Sequence, residues 1–188
     1  VAAAATTPFI THQYTATNGD SYVRTYINVT SITTASAIAI ALIRDTGSGN
    51  NAAIRLTKSG ANYVLGLYDE QAASQLGSNS SALTVNTWYR LEFSYIRSSG
   101  VMTAYIDGSQ FATGSGSAAL NSNTLRLGAI DSATITIFFD DVAVNRSSLP
   151  GDGKIIHLLP NAAGDANSFA VQVGGTVGSA NNFTRVDE

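Results

Sequence analysis

Apolar and polar residues alternate with a period of two along most of this chain, the spacing of a half-buried β-strand and not of a helix. In "SYVRTYINVT", Val23, Thr25, Ile27 and Val29 fall on one face, and Tyr22, Arg24, Tyr26 and Asn28 on the other. "AIAIALIR" sets Ala37, Ala39 and Ala41 against Ile38, Ile40 and Leu42, which predicts a strand covered on both sides and central in its sheet. "AAIRLTK" and "NYVLGLYD" read as a hairpin closed by Ser59-Gly60-Ala61-Asn62. "TWYRLEFSYIR" and "VMTAYIDG" follow around Ser98-Ser99-Gly100, and Asp107-Gly108 supplies a second tight turn. "NTLRLGAI" and "ATITIFFDDVAVN" complete the series. A helical turn is expected only around "SSALTVN". Strands parted in this way by Gly, Ser and Asn turns predict an all-β fold, an antiparallel sandwich of about 12–14 strands.

The 188 residues suffice for one such sandwich and not for two comfortable domains. Turn residues gather at "NRSSLPGDGK", so the sandwich is expected over 1–148, with 149–188 as a β extension packing on it. Charged residues make up 12%, against a usual share of about a quarter. Neutral polar groups must then cover the surface, which suits packing against other subunits. The net charge is −3 and the basic residues are scattered singly, unlike the clustered footprint that phosphate backbones require, so nucleic acid is excluded as a partner. "SAIAIALI" is the longest apolar run and falls far short of the ~18 residues of a membrane-spanning helix. Cysteine is absent, which removes disulfides, thiol chemistry and Cys-based zinc sites.

Four elements in order carry a family resemblance. Trp88 opens a strand; Tyr105-Ile106-Asp107-Gly108 ends another; Leu125-Arg126-Leu127-Gly128 and Phe139-Asp140-Asp141-Val142 follow. Together they resemble the concanavalin A-like, laminin-G-type jelly roll over roughly residues 8–146. That fold hosts many functions, so it fixes none. Beyond it, "GDGKIIHLLPNAAGD" and "NNFTRVDE" are similar to an extension that follows such jelly rolls in tailed-bacteriophage structural proteins, with Phe169 where a Trp is usual. In those relatives the chain continues past the Asp-Glu, so a longer protein is expected. The resemblance implies a virion surface module, a capsid decoration or tail protein, assembled in the host cytoplasm and then extracellular. Freedom from cysteine fits that route. The implied partners are other virion proteins, further copies of the chain and host or environmental glycans.

Glycan hydrolysis needs two carboxylates about 5–9.5 Å apart, which the glucanases of this family carry as Glu-x-Asp-x-Glu. Here the three glutamates are Glu70, Glu92 and Glu188, none with a carboxylate two residues away. Lyase chemistry needs a His or Tyr base beside groups that neutralise a uronate. His12 and His157 both sit in apolar strand contexts that favour a structural role. "GSGSAA" lies between strands, and "GDGK" lacks a following Ser or Thr, so neither binds nucleotide phosphates. The chain is therefore expected not to be an enzyme. The resemblance implies a structural calcium at Asp140 or Asp141; the alternative is a β-bulge that lets Phe139 and Val142, three apart, both face inward. Tyr22, Arg24, Tyr26, Arg90, Glu92 and Tyr105 form a candidate sugar face of rings and directional polar groups, or ordinary cross-strand pairs. The alternative to the virion role is a secreted bacterial carbohydrate-binding or polysaccharide-degrading module.

Overall fold

The structure, a computed structural model, describes residues 8–153 apart from 18, 34, 35, 48, 61 and 132. The chain divides into two compact units, 1–153 and 154–188. His157, Phe169 and most of the expected C-terminal extension lie outside the described residues.

Eleven strands run through the first unit: β1 (Phe9–Thr17), β2 (Ser21–Ile32), β3 (Ile38–Asp45), β4 (Gly49–Ser59), β5 (Asn62–Asp69), β6 (Ser74–Leu76), β7 (Trp88–Tyr95), β8 (Val101–Ile106), β9 (Ser109–Ser115), β10 (Ser122–Gly128) and β11 (Ile135–Asn145). They form two antiparallel sheets, β1-β10-β3-β4-β5-β6 and β11-β2-β7-β8-β9. The alternating residues meet between the sheets. Val23, Ile27 and Val29 of β2 and Leu91, Phe93 and Tyr95 of β7 pack in one core with Ile40, Ile54, Leu65 and Leu125 of the six-stranded sheet. Each such side chain contributes about 1.5–3 kcal/mol on burial.

Two local departures from simple alternation have clear causes. In β3 the register slips between Ala39 and Ala41, so Ala41 and Ile43 face the main core while Ala39 and Leu42 pack outward with Ala53 beneath Ile130. The strand is covered on both sides and sits between β10 and β4. The helical turn expected at "SSALTVN" does not form. Leu83 is drawn into the core and forms a β-bridge with Tyr63 in place of a helical turn, and Asn86 ends the segment with a left-handed φ of 57°. The Asp107-Gly108 turn behaves as its residues dictate, both with positive φ (49° and 82°), the combination of a type I′ hairpin turn.

Hydroxyl groups join the two layers. Ser21 of β2 and Ser122 of β10 meet at 2.7 Å, and Tyr14 of β1 reaches Ser21 at 2.9 Å. Arg146 Nη1 donates to Ser21 Oγ and to the Ser122 carbonyl, both at 3.1 Å. Elsewhere Tyr95 donates its hydroxyl to the Ser117 carbonyl at 3.3 Å and accepts the Leu120 N–H at 3.1 Å. Burial pushes the phenols of Tyr14 and Tyr95 above their ordinary value of 10.0. A group whose folded pKa is raised keeps its contribution below the unfolded value and loses it as pH rises through the folded one. The melting temperature should therefore hold up to about pH 10 and fall above it. A Tyr14→Phe/Tyr95→Phe double variant should fall less steeply when melts are followed by circular dichroism across that range.

Candidate functional site

The outer face of the five-stranded sheet gathers the polar members of the alternation. Antiparallel register places Tyr22 beside Ser94, Arg24 beside Glu92 and Tyr26 beside Arg90, while β8 sets Tyr105 beside Glu92. All six residues expected to form a sugar face thus share one surface across β2, β7 and β8. Two of them are not free to receive a ligand. Arg24 and Glu92 are 7% and 3% exposed, buried beneath residues 149–153, which leave β11 and cross this face as a strap. Glu92 Oε1 accepts the Gly151 N–H at 2.9 Å, and Arg24 Nη1 donates to the Gly151 carbonyl at 2.9 Å. The Asp152 carboxylate pairs with the Arg90 guanidinium. Arg90 Nε lies 3.2 Å from Glu92 Oε2, within ion-pair range but not aligned as a hydrogen bond. Tyr22, Tyr26 and Tyr105 remain half-buried at the margins. Burial, then the charge of Asp20, raises the Tyr22 phenol.

Asp140 and Asp141 sit on a bulge. Asp140 opposes Tyr26 and Ala143 opposes Arg24, so β11 carries one residue more than β2 between them, and Asp141 takes a left-handed φ of 45°. Phe139 packs against the core, but Val142 is exposed. Asp140 Oδ1 accepts the Asp141 N–H at 2.8 Å. Asp141 Oδ1 accepts from Arg24 Nη2 at 2.7 Å, so a guanidinium already stands at the expected calcium ligand. Among the described residues, no three His, Asp or Glu side chains gather as a metal site would require.

Beyond the strap the face opens. The next row is Phe138, Asn28 and Trp88, directly paired across β11, β2 and β7. Trp88 is 48% and Phe138 55% exposed, and between them Asn28 Oδ1 is buried without a hydrogen-bond partner among the described residues. Period two already places Trp88 on the face of Arg90 and Glu92. Phe138 joins it only through a pairing that the sequence does not announce.

Two other clusters of polar and aromatic side chains lie elsewhere on the sandwich. On the six-stranded sheet, Arg55 is gripped by Glu70 at 2.7 and 2.8 Å and by Asp131 at 3.1 Å. The Glu70 hydrogen bond comes first among the causes that hold its guanidinium further toward the charged form. Such a saturated group has little left for a ligand. Between the edge strands β1 and β11, Ile10, Leu127, Val142 and Val144 line an apolar cleft of about 400 Å³ with His12 and Tyr14. His12, expected to be structural, is exposed on β1 with its ring 6.3 Å from that of Tyr14.

Residues 5–152 match the family described as the concanavalin A-like lectin/glucanases superfamily, and the chain belongs to it. Solved structures on this fold include the cellulose-induced protein Cip1, 17% identical over 77% of this chain and 75% of that one, with a TM-score of 0.54. A heptameric SAP-like pentraxin from Limulus polyphemus is 15% identical over 73% of this chain and 69% of its own, also at 0.54. The marine alginate lyase AlyA1 from Zobellia galactanivorans is 12% identical over 73% and 65%, at 0.52. No protein of curated function matches in sequence.

These neighbours correct the expectation that the chain is not an enzyme. Alginate lyases share this sandwich, as does about a fifth of a Trypanosoma rangeli sialidase, 21% of whose chain is covered. Poverty in paired carboxylates therefore does not argue against catalysis on it. Paired carboxylates are a requirement of hydrolysis, and two histidines in apolar contexts leave tyrosine as a candidate base for elimination. Lyase chemistry draws on a His or Tyr base and cations beside a uronate, and tyrosines and arginines lie together on the outer face.

Proposed function

We propose that this chain is a carbohydrate-recognising module, and that its glycan lies across the outer face of the five-stranded sheet on the Trp88–Asn28–Phe138 row. One observation carries the reading: two large rings stand exposed on either side of an amide. Adjacent strands lie about 4.8 Å apart, so the two rings rise from backbones about 10 Å apart. Exposed rings in a line favour stacking on the C–H faces of sugars, while the amide offers a donor and an acceptor. The Asn28 side-chain torsion is broad and roughly two-fold, so either end can turn toward a hydroxyl. A buried, unpaired amide oxygen costs about 1–3 kcal/mol, which a sugar hydroxyl would relieve.

The carbohydrate-active names among the structural neighbours support this alternative better than the virion role expected from the C-terminal motifs. Their identities are low, so the support is of fold only. Titration calorimetry against neutral and acidic oligosaccharides tests the proposal. Trp88→Ala should weaken binding by tenfold or more, which is about 1.4 kcal/mol, while Trp88→Tyr should keep most of it. Equal affinities of wild type and Trp88→Ala for every oligosaccharide would overturn the reading.

A further inference from the structure

We infer that the strap at 149–153 occupies, with its own groups, a subsite for a carboxylate-bearing sugar, and that acidic glycans enter when the strap lifts. The inference rests on the carbohydrate reading and extends it from ring stacking to a charged subsite. The starting observation is an oddity of burial. Arg24 and Glu92 lie on the outward face of a sheet, yet they are as inaccessible as the core. What covers them is a short coil that belongs to no strand.

The strap's grip uses three different groups. The Gly151 N–H donates to Glu92, the Gly151 carbonyl accepts from Arg24, and the Asp152 carboxylate lies on Arg90. A donor, an acceptor and a carboxylate within two residues form the same set that a uronic acid presents through a hydroxyl, a ring or hydroxyl oxygen, and its carboxylate. Exchange of one for the other leaves the charge count of the face unchanged. Arg24 keeps Asp141, Arg90 keeps Glu92, and an incoming carboxylate replaces the one that leaves. A neutral sugar cannot make that replacement, because it would leave the outer edge of the Arg90 guanidinium without its anion. Tyr26 and Tyr105, the cross-strand neighbours of Arg90 and Glu92, supply ring surface beside the charges. The Tyr26–Arg90 row is two residues along the strands from Asn28 and Trp88, about 7 Å at the strand rise. A glycan lying on the aromatic row therefore continues into the covered one.

The strap is built to come away. Among the described residues it makes no ladder hydrogen bonds and is held by a few polar contacts, and the Asp152 side chain is 60% exposed, which are the marks of the low-stability end of a fold. While it is seated, the apparent affinity for an acidic ligand is reduced by the fraction of molecules with the strap open.

Two variants of the full chain lift it by different means. Gly151→Pro removes the N–H given to Glu92 and cannot adopt the φ of +69° found there. Asp152→Asn removes the carboxylate alone. In calorimetric titrations with tetragalacturonate, both variants should bind at least tenfold more tightly than wild type, with cellotetraose affinity unchanged. The gain should vanish when Arg90→Gln is added to Gly151→Pro. In wild type, saturating tetragalacturonate should accelerate hydrogen exchange of the Gly151 amide, a readout that needs no variant to fold. Equal tetragalacturonate affinity in wild type, Gly151→Pro and Asp152→Asn, with Gly151 exchange unmoved, overturns the inference whatever Trp88→Ala does to other ligands. A gain in the two strap variants that is indifferent to Trp88→Ala supports the subsite and overturns only the placement of the glycan on the aromatic row.

Discussion

Asp69→Ala should destabilise the sandwich by about 3–5 kcal/mol, a large share of the 5–15 kcal/mol typical of a whole domain. Asp69 ends β5 and is 2% exposed. Its carboxylate accepts the Gln71 N–H at 2.9 Å and, more weakly, the Ala72 N–H at 3.4 Å, closing its own turn. The same carboxylate accepts the Ser117 N–H at 2.9 Å and the Ser117 hydroxyl at 3.1 Å. Ser117 follows β9, so one side chain ties the six-stranded sheet to the exit of the five-stranded one. The fit is close: a Cβ on Gly116 would lie 2.6 Å from Asp69 Oδ2. Removal of the carboxylate takes the acceptor from three amide N–H groups and the Ser117 hydroxyl, and hydrogen bonds to charged groups are worth about 1.5–3 kcal/mol each. Asp69→Asn keeps one acceptor and should lose roughly half as much. Urea unfolding with an unchanged m-value measures both. A loss below about 1 kcal/mol for Asp69→Ala would mean that water replaces the carboxylate.

Phe93→Ala should cost a similar amount, about 3–5 kcal/mol, for a different reason. Phe93 is fully buried on β7, the central strand of its sheet, with Val23 and Ala104 as cross-strand neighbours. The small Ala104 cannot swing into the space left behind, so the cavity term adds to the lost transfer energy, about 24 cal/mol for each Å³ that stays empty. Phe93→Leu conserves most of the volume and should cost less than about 1.5 kcal/mol. The contrast between the two variants in denaturant midpoint is the measurement. Equal losses would point to a specific ring contact and away from volume.

The faces of β2 and β7 were legible because alternation is a local property. Once Val23 points inward, Tyr22 and Arg24 must point outward, and all six residues of the expected sugar face did share a surface. The inserted residue at Asp140–Asp141 was expected, as the alternative to calcium, from Phe139 and Val142 both facing inward; the insertion is present, but only Phe139 turns to the core. Val142 stays at the exposed edge between sheets, because among the described residues β11 is the last strand of its layer. The slip in β3 left no trace, as Ala39 and Ala41 on either side of it do not differ in chemistry. Register across non-consecutive strands hid the Phe138–Asn28–Trp88 row, which exists only because β2 pairs on one side with β11 and on the other with β7. Long-range coverage hid the strap, for Gly151 meets Glu92 and Arg24 from 59 and 127 positions away.

The contact of Ser21 with Ser122, backed by Tyr14 and Arg146, does between these two layers what a sulfur bridge does in many extracellular sandwiches. Oxygen and nitrogen donors exchange no electrons with their surroundings, and the chain holds no cysteine that could. Glutathione, thioredoxin-like enzymes and dissolved oxygen therefore find nothing to act on in this seam. The molecule can pass from one redox environment to another with its two sheets joined in the same way.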